Sequence, residues 1–279
     1  MITTKQITEC VQFLKNNVGI VPTVGIILGT GLNDLDNYIQ HKTVIPYKEI
    51  PHFPVSTVEF QKGNLIFGTL QNVPVVAMQG RFHFYEGYSM QQLTFPVRVM
   101  KELGIEHLLL SNAAGGLNPG FRKGDLIIAE DHINLLPDNP LRGLGDVFGN
   151  RFVDMSEPYD KTVMEILEKA FILNHVPVKK GVYVSVMGPN LETRAEYRWL
   201  RSMGADMVGM STVPEVIVAN QIGLKTAAIS VITDECDPDK LQKVNIAEII
   251  EVAGKADITL SKIIMHAIRE LSERKISIK

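Results

Sequence analysis

Short apolar runs recur along the chain, each ending in glycine or small polar residues, with stretches of helical periodicity between them. Val24-Gly25-Ile26-Ile27-Leu28 runs into Gly29-Thr30-Gly31, the pattern of a buried strand feeding a tight turn. Similar strand candidates are Leu65–Leu70, Val73–Met78, His107–Ser111, Leu126–Ala129, Gly181–Val186, Met207–Met210 and Lys225–Ile232. Helical spacing of apolar positions predicts helices over Thr8–Asn16, Met90–Leu103, Thr162–Leu173, Thr193–Met203, Val213–Gln221 and about Ile246–Arg274. Strands alternating with helices point to an α/β sheet wrapped in helices. No repeat, low-complexity tract or flexible linker cuts the chain, so residues 1–279 read as one domain. Two stretches, His52–Gly63 and Asp131–Met155, fit neither periodicity and are rich in Pro, Gly, Asn and Asp. Loops of that length serve as lids or binding loops, or are disordered.

Composition narrows the class. The 279 residues are 45% hydrophobic and 21% charged, ordinary for a soluble globular protein and too apolar for a disordered one. Lys and Arg total 28 against 31 Asp and Glu, a net charge of −3, without the basic excess of a sequence-independent nucleic-acid binder. No run approaches the roughly 18 apolar residues needed to span a bilayer. The opening MITTKQITECVQFLKNN lacks the apolar stretch of a secretory leader. Cys10 and Cys236 are the only cysteines, neither a disulfide framework nor a thiolate metal site. The expectation is a cytoplasmic, metal-free protein with no nucleic-acid or membrane partner.

Candidate chemistry clusters where strands end, the place where α/β sheets bind ligands. Gly29-Thr30-Gly31 offers backbone N–H groups and a hydroxyl to an anion, although a structural turn would look the same. It is not a dinucleotide fingerprint, because Asp34 stands where a third glycine is needed, and no GK[ST] follows. In Arg81-Phe82-His83-Phe84-Tyr85-Glu86-Gly87, an extended backbone would put Arg81, His83 and Tyr85 on one face, an anion- and hydroxyl-binding set. Surface polar residues flanking buried aromatics would read alike. Ser111-Asn112-Ala113-Ala114-Gly115-Gly116 lets a flat ligand lie against the backbone, or simply allows close packing. Gly188-Pro189-Asn190-Leu191-Glu192-Thr193 opens a helix, where Glu192 in the first turn would be favoured by the dipole in any case. Ser211, between Met207–Met210 and a helix with Pro214 in its first turn, suits an anion. It is no hydrolase elbow, because Val213 replaces the required glycine. Thr233-Asp234-Glu235 closes the strand Lys225–Ile232, and acidic residues there are usually just solvated.

In their order and placement these motifs resemble purine nucleoside phosphorylases of the trimeric, low-molecular-mass class. The likeness runs nearly end to end, through IPHFPVSTV (50–58), QGRFHFYEGY (79–88), FPVRV (95–99), SNAAGGLNP (111–119), DHINL (131–135), NPLRG (139–143), GPNLET (188–193) and GADMVGMSTVPEVIVA (204–219). The resemblance implies a single-domain fold with a central mixed, partly barrel-like sheet surrounded by helices. It implies phosphorolysis of purine (deoxy)ribonucleosides to base and α-D-(deoxy)ribose 1-phosphate, with no cofactor, in a homotrimer. It puts phosphate against Thr30, Arg81, His83, the Ala113 N–H and Ser211. The sugar would meet Tyr85, Met210 and a neighbouring subunit's Phe148. The base would sit by Ala114, Leu191, Val208, Thr233, Asp234 and Glu192, the last accepting from purine N1–H. Asn112 would be a nearby positioning residue, and His83, Glu192 and Asp234 the catalytic groups.

Four positions depart from the family pattern. Gln61 replaces a histidine near phosphate, Leu191 replaces an aromatic that stacks on the purine, and Ile246 or Ala247 replaces a histidine toward the sugar 5′-hydroxyl. Asp234 replaces the asparagine facing N7 and the 6-position. An aspartate there, with an apolar 5′ end, also fits the related 5′-methylthioadenosine phosphorylases, although RFHFYEGY and GPNLET match the nucleoside enzymes. A non-catalytic nucleoside-binding module is the rival from another class.

Overall fold

A computed structural model describes residues 1–55, 57, 62–241, 243 and 245–277, so Gln61 lies outside the described residues. Among the described residues, six α-helices surround a nine-stranded mixed sheet. The strands are β1 (Val24–Leu28), β2 (Gln40–Pro46), β3 (Asn64–Leu70), β4 (Val73–Gln79), β5 (His107–Gly116), β6 (Leu126–Asn134), β7 (Lys180–Ser185), β8 (Met207–Gly209) and β9 (Lys225–Glu235). The helices are α1 (Thr4–Asn17), α2 (Met90–Leu103), α3 (Lys161–Leu173), α4 (Arg194–Ser202), α5 (Val213–Gln221) and α6 (Ile246–Ser277). Strand order is β2-β3-β4-β1-β5-β8-β7-β6-β9, and β5 also pairs with β9, closing the last five strands into a ring.

The apolar runs are continuous because the central strands are buried on both faces. In β1, Val24, Ile26 and Leu28 pack into the layer of α3 and α6, while Ile27 packs into the layer of α1, α2 and α5. β4 alternates likewise, with Val75 and Ala77 on one side and Val76 and Met78 on the other. Along α6, Leu260, Ile263, Ile264 and Ile268 are all buried, each contributing about 1.5–3 kcal/mol of transfer free energy. Thr3 and Ser89 cap α1 and α2 by reciprocal bonds with Gln6 and Gln92, and Gly104 ends α2 at φ 117. Among the described residues no helix is long and apolar enough to cross a membrane.

Three expectations are corrected. β5 and β9 do not stop at Ser111 and Ile232 but run on together to Gly116 and Glu235, with a register shift between Ala114 and Gly115. The small residues permit this close pairing. β6 continues to Asn134, so the loop expected from Asp131 starts later. β2 gave no sequence signal because it is an edge strand with Ile45 alone fully buried.

Candidate active site

The register of β5 opens the site. Its pairing with β1 ends at Leu110, while β5 itself continues for six residues. One edge of Ser111–Ala114 is therefore free of β1, and the turn after β1 folds against it. Gly29 allows the approach, because a Cβ there would lie 2.7 Å from the Asn112 Cα. A cavity of about 340 Å³ forms at these strand ends. It is lined by Thr30 after β1, Arg81, His83 and Tyr85 after β4, Asn112, Ala113 and Ala114 on β5, Met210 and Ser211 after β8, and Thr233 and Asp234 on β9. Leu191, Glu192 and Val208 complete the predicted set, so every site residue named from the sequence except Phe148 lines this one cavity.

At one end stands a buried cation. Arg81 is 1% exposed; its Nε donates to Glu215 Oε1 at 3.2 Å, and its Nη1 to the Ser111 carbonyl at 2.8 Å and Ser211 Oγ at 3.1 Å. Nη2 has no partner among the described residues, a charge-assisted donor still to be used. Ser211 is presented by Thr212, whose φ of 71 is rare for a β-branched residue and costs of order 1–3 kcal/mol. Asn112 Nδ2, donating to Thr212 Oγ1 at 2.9 Å, helps hold that conformation.

His83 is aimed differently from the extended pattern expected. Phe84–Glu86 forms a 3₁₀ turn ending at Gly87, φ 92, so the side chains do not alternate. Glu86 Oε1 accepts from the His83 backbone N–H at 2.8 Å and from Nδ1 at 3.1 Å. A carboxylate only accepts, so Nδ1 carries the proton and Nε2 is left for a ligand. Burial works against the Glu86 charge, but bonds from His83 and Thr57 outweigh it and hold the carboxyl below its ordinary range. Tyr85 stacks on His83 at 4.7 Å, and its phenol is pushed up to about 12, mainly by burial.

The opposite end holds two carboxylates. Glu192 is not in the first turn of α4, as expected, but just before it. Thr193 is the cap, accepting from Glu196 N–H while Glu196 accepts from Thr193 N–H, so capping does not need Glu192. Burial raises the Glu192 carboxyl, with the nearby charge of Asp234 adding to the effect. Asp234 accepts from Thr233 Oγ1 at 3.0 Å and from Cys236 Sγ at 3.2 Å. A more polar cavity of about 680 Å³ adjoins this end and shares Thr233, Asp234 and Ile249.

Sequence reading missed Glu215, Tyr197, Cys236, Ile249 and Ile250. Glu215 lay inside a quoted motif, but its role depends on Arg81, 134 residues away. Tyr197 and the two isoleucines look like ordinary apolar helix positions. Of the two residues considered for the 5′ end, Ile246 lines the cavity and Ala247 does not. Phe148 is not brought to the cavity of its own chain; its ring packs against the Arg98 guanidinium at 4.4 Å.

Comparison with known proteins bears on this arrangement. Residues 23–269 match the family described as the Phosphorylase superfamily. The chain is 50% identical to purine nucleoside phosphorylase 1 of Bacillus subtilis over 260 residues, covering 93% of this chain and 96% of that one. It is 46% identical to the mouse (Mus musculus) purine nucleoside phosphorylase, covering 91% and 90% of the two chains. A crystal structure of Schistosoma mansoni purine nucleoside phosphorylase in complex with adenosine superposes with a TM-score of 0.90 at 38% identity, covering 96% of this chain and 98% of that chain.

Proposed function

Because the chain belongs to the phosphorylase superfamily, we propose that it catalyses reversible phosphorolysis of purine (deoxy)ribonucleosides, giving free base and α-D-(deoxy)ribose 1-phosphate. The observation that carries this reading is a single cavity with a buried guanidinium at one end and two carboxylates at the other. That set of groups suits an anion, a sugar and a purine held together.

Phosphate is held by Arg81, Ser211, the Thr30 hydroxyl, the Ala113 N–H and His83 Nε2. The sugar lies against Tyr85 and Met210. The purine sits among Ala114, Leu191, Val208, Thr233, Glu192 and Asp234. As the bond from C1′ to N9 lengthens, its electron pair moves into the purine and the sugar gains oxocarbenium character, as in glycoside cleavage. The oriented phosphate stabilises that cation and then forms the new C1′–O bond. Negative charge growing on the base is met at N7 by Asp234, which donates when protonated, while Glu192 orients the base by accepting from N1–H. Inorganic phosphate is a co-substrate, and the reaction calls on no metal or organic cofactor.

The reading includes a homotrimer in which Phe148 covers a neighbour's sugar site, and a cytoplasmic location, which the free buried thiols of Cys10 and Cys236 support. Light scattering alongside activity on dilution tests the assembly; a fully active monomer would remove Phe148 from the site. One observation favours a second reading: Ile246 and Ile250 make part of the cavity wall apolar, and with Asp234 this suits 5′-methylthioadenosine. A steady-state panel of inosine, guanosine, adenosine, xanthosine and methylthioadenosine, each with and without phosphate, decides. We expect base release from inosine and guanosine only with phosphate present. Release without phosphate, or no turnover of any substrate, contradicts the proposal.

A further inference from the structure

The turn after β1 carries Thr30 to the cavity, and its polar fastenings lie at its two ends. At the start, the Gly29 N–H donates to Ser111 Oγ on β5 at 3.2 Å. At the far end, the Asp34 N–H donates to Asp257 Oδ2 on α6 at 2.5 Å, and Asp257 is 3% exposed. Between them the Leu32 N–H folds back on the Gly29 carbonyl at 3.1 Å. The Thr30 hydroxyl makes no hydrogen bond among the described residues, so this donor and acceptor is unspent at the cavity wall.

One stripe of α6 serves both this turn and the apolar side of the cavity. Ile246, Ile249 and Ile250 line the cavity. Ala253, one turn further on, meets Gly31, where a Cβ would lie 3.1 Å from the Ala253 Cβ. Gly31 has a φ of 77, so glycine suits the turn for its backbone as well as for this approach. Asp257 follows one more turn along. Residues 246, 250, 253 and 257 recur at helical spacing, which puts Ile250 and Asp257 on one face, about 10 Å apart along the axis.

We propose that Asp257 is a positioning residue for phosphate. Its bond to the Asp34 N–H fixes the turn, so that the Thr30 hydroxyl meets an anion held by Arg81 at a set distance from the apolar wall built by the same helix. The proposal rests on the reading above that this end of the cavity takes phosphate. Asp257 does not line the cavity, and it acts through the turn. The cost of the arrangement supports that role. Asp257 Oδ1 and Asp34 Oδ2 are buried without partners among the described residues, and burial, then the Asp34 charge, works against an ionised Asp257. An apolar side chain would spare the core that cost, but it would leave the Asp34 N–H unanswered and the turn free to shift.

The test measures kcat and the KM values for phosphate and inosine in Asp257→Ala, Asp257→Asn and Thr30→Val. Alanine removes the acceptor and is expected to raise the phosphate KM by roughly tenfold while the inosine KM stays within about twofold. Asparagine keeps an acceptor oxygen on the same stem and is expected to hold the phosphate KM within about twofold of wild type. Where the alanine variant does not fold, Asp257→Glu, which moves the carboxyl by one methylene, carries the same expectation. Combining Asp257→Ala with Thr30→Val is expected to cost less than the two single losses added together, because one acts through the other. An unchanged phosphate KM in Asp257→Ala, equal rises in both KM values, an asparagine variant that behaves like the alanine one, or a fully additive double variant would overturn the proposal. If Thr30→Val also leaves the phosphate KM unchanged, the turn does not meet phosphate, and that part of the reading above fails with it. If Thr30→Val raises it while Asp257→Ala does not, the positioning role alone fails.

Discussion

At the end of the cavity proposed for phosphate the charges are already paired and held in place, with Arg81 Nη2 the donor left over among the described residues. Arg81 is neutralised by Glu215 and fixed by Ser111 and Ser211, and His83 is oriented by Glu86. At the base end two acids face one pocket with no cation bonded to either carboxylate among the described residues, and burial and mutual repulsion raise Glu192. A buried ion pair holds one geometry and one charge state, whereas two half-buried carboxylates that repel each other can differ in how many protons they hold. On the proposed function, anion recognition is therefore rigid and base recognition adjustable, and substrate choice resides in the end whose charge the fold leaves open.

The largest effect expected on this contrast is at Arg81. Arg81→Ala removes charge-assisted contacts worth about 1.5–3 kcal/mol to phosphate, so saturation weakens and turnover slows by tenfold or more. It also strands Glu215 in the interior, costing about 3–5 kcal/mol of stability. Adding Glu215→Gln is expected to restore much of the melting temperature but none of the phosphate affinity. Wild-type phosphate dependence in Arg81→Ala would break the comparison outright.

Asp234→Asn addresses the other end. An amide accepts from the 6-amino group of adenine less well than an ionised carboxylate does, so the adenosine-to-inosine ratio of kcat/KM is expected to move toward inosine by about tenfold, roughly 1.4 kcal/mol. An unchanged ratio would show that Asp234 does not face the base.

One carboxylate behind the phosphate turn sharpens the contrast. Asp257 of α6 is 3% exposed, accepts from the Asp34 backbone N–H at 2.5 Å, and so braces the turn that carries Thr30. Burial, opposed by the backbone bonds from Asp34 and Asn33, raises its carboxyl to about 6. The folded state thus holds this proton more tightly than the unfolded chain, and the associated stability is lost as pH rises from about 4 through about 6. Asp257→Asn removes the burden of ionisation and is expected to stabilise the protein by about 1 kcal/mol at pH 8 but not at pH 4, read from melting temperatures. A gain of the same size at both pH values would refute the assignment.

The smallest effect is at Phe148. Phe148→Ala removes its contact with Arg98, worth about 0.5–1 kcal/mol of stability. If Phe148 also covers a neighbour's sugar, KM for nucleoside rises while the KM for phosphate holds. A change in neither KM would confine Phe148 to its own chain.

The amino-acid sequence by itself determined the helices, the eight apolar strands and most of the cavity wall, though not Tyr197, Cys236, Ile249 and Ile250. Periodicity reports which faces are apolar, and the long motifs of residues 79–88, 188–193 and 204–219 survived into one site. Only the tertiary structure decided how charges within that wall are paired. Arg81 meets Glu215 across 134 positions, and Cys236 reaches Asp234 because β5 and β9 pair up to Gly116 and Glu235. β2 escaped notice for the same reason: an edge strand owes its place to backbone pairing with β3, not to an apolar face of its own. Local patterns carry burial, which each residue signals by its own chemistry. Pairings between distant residues depend on strand register, which no single segment contains.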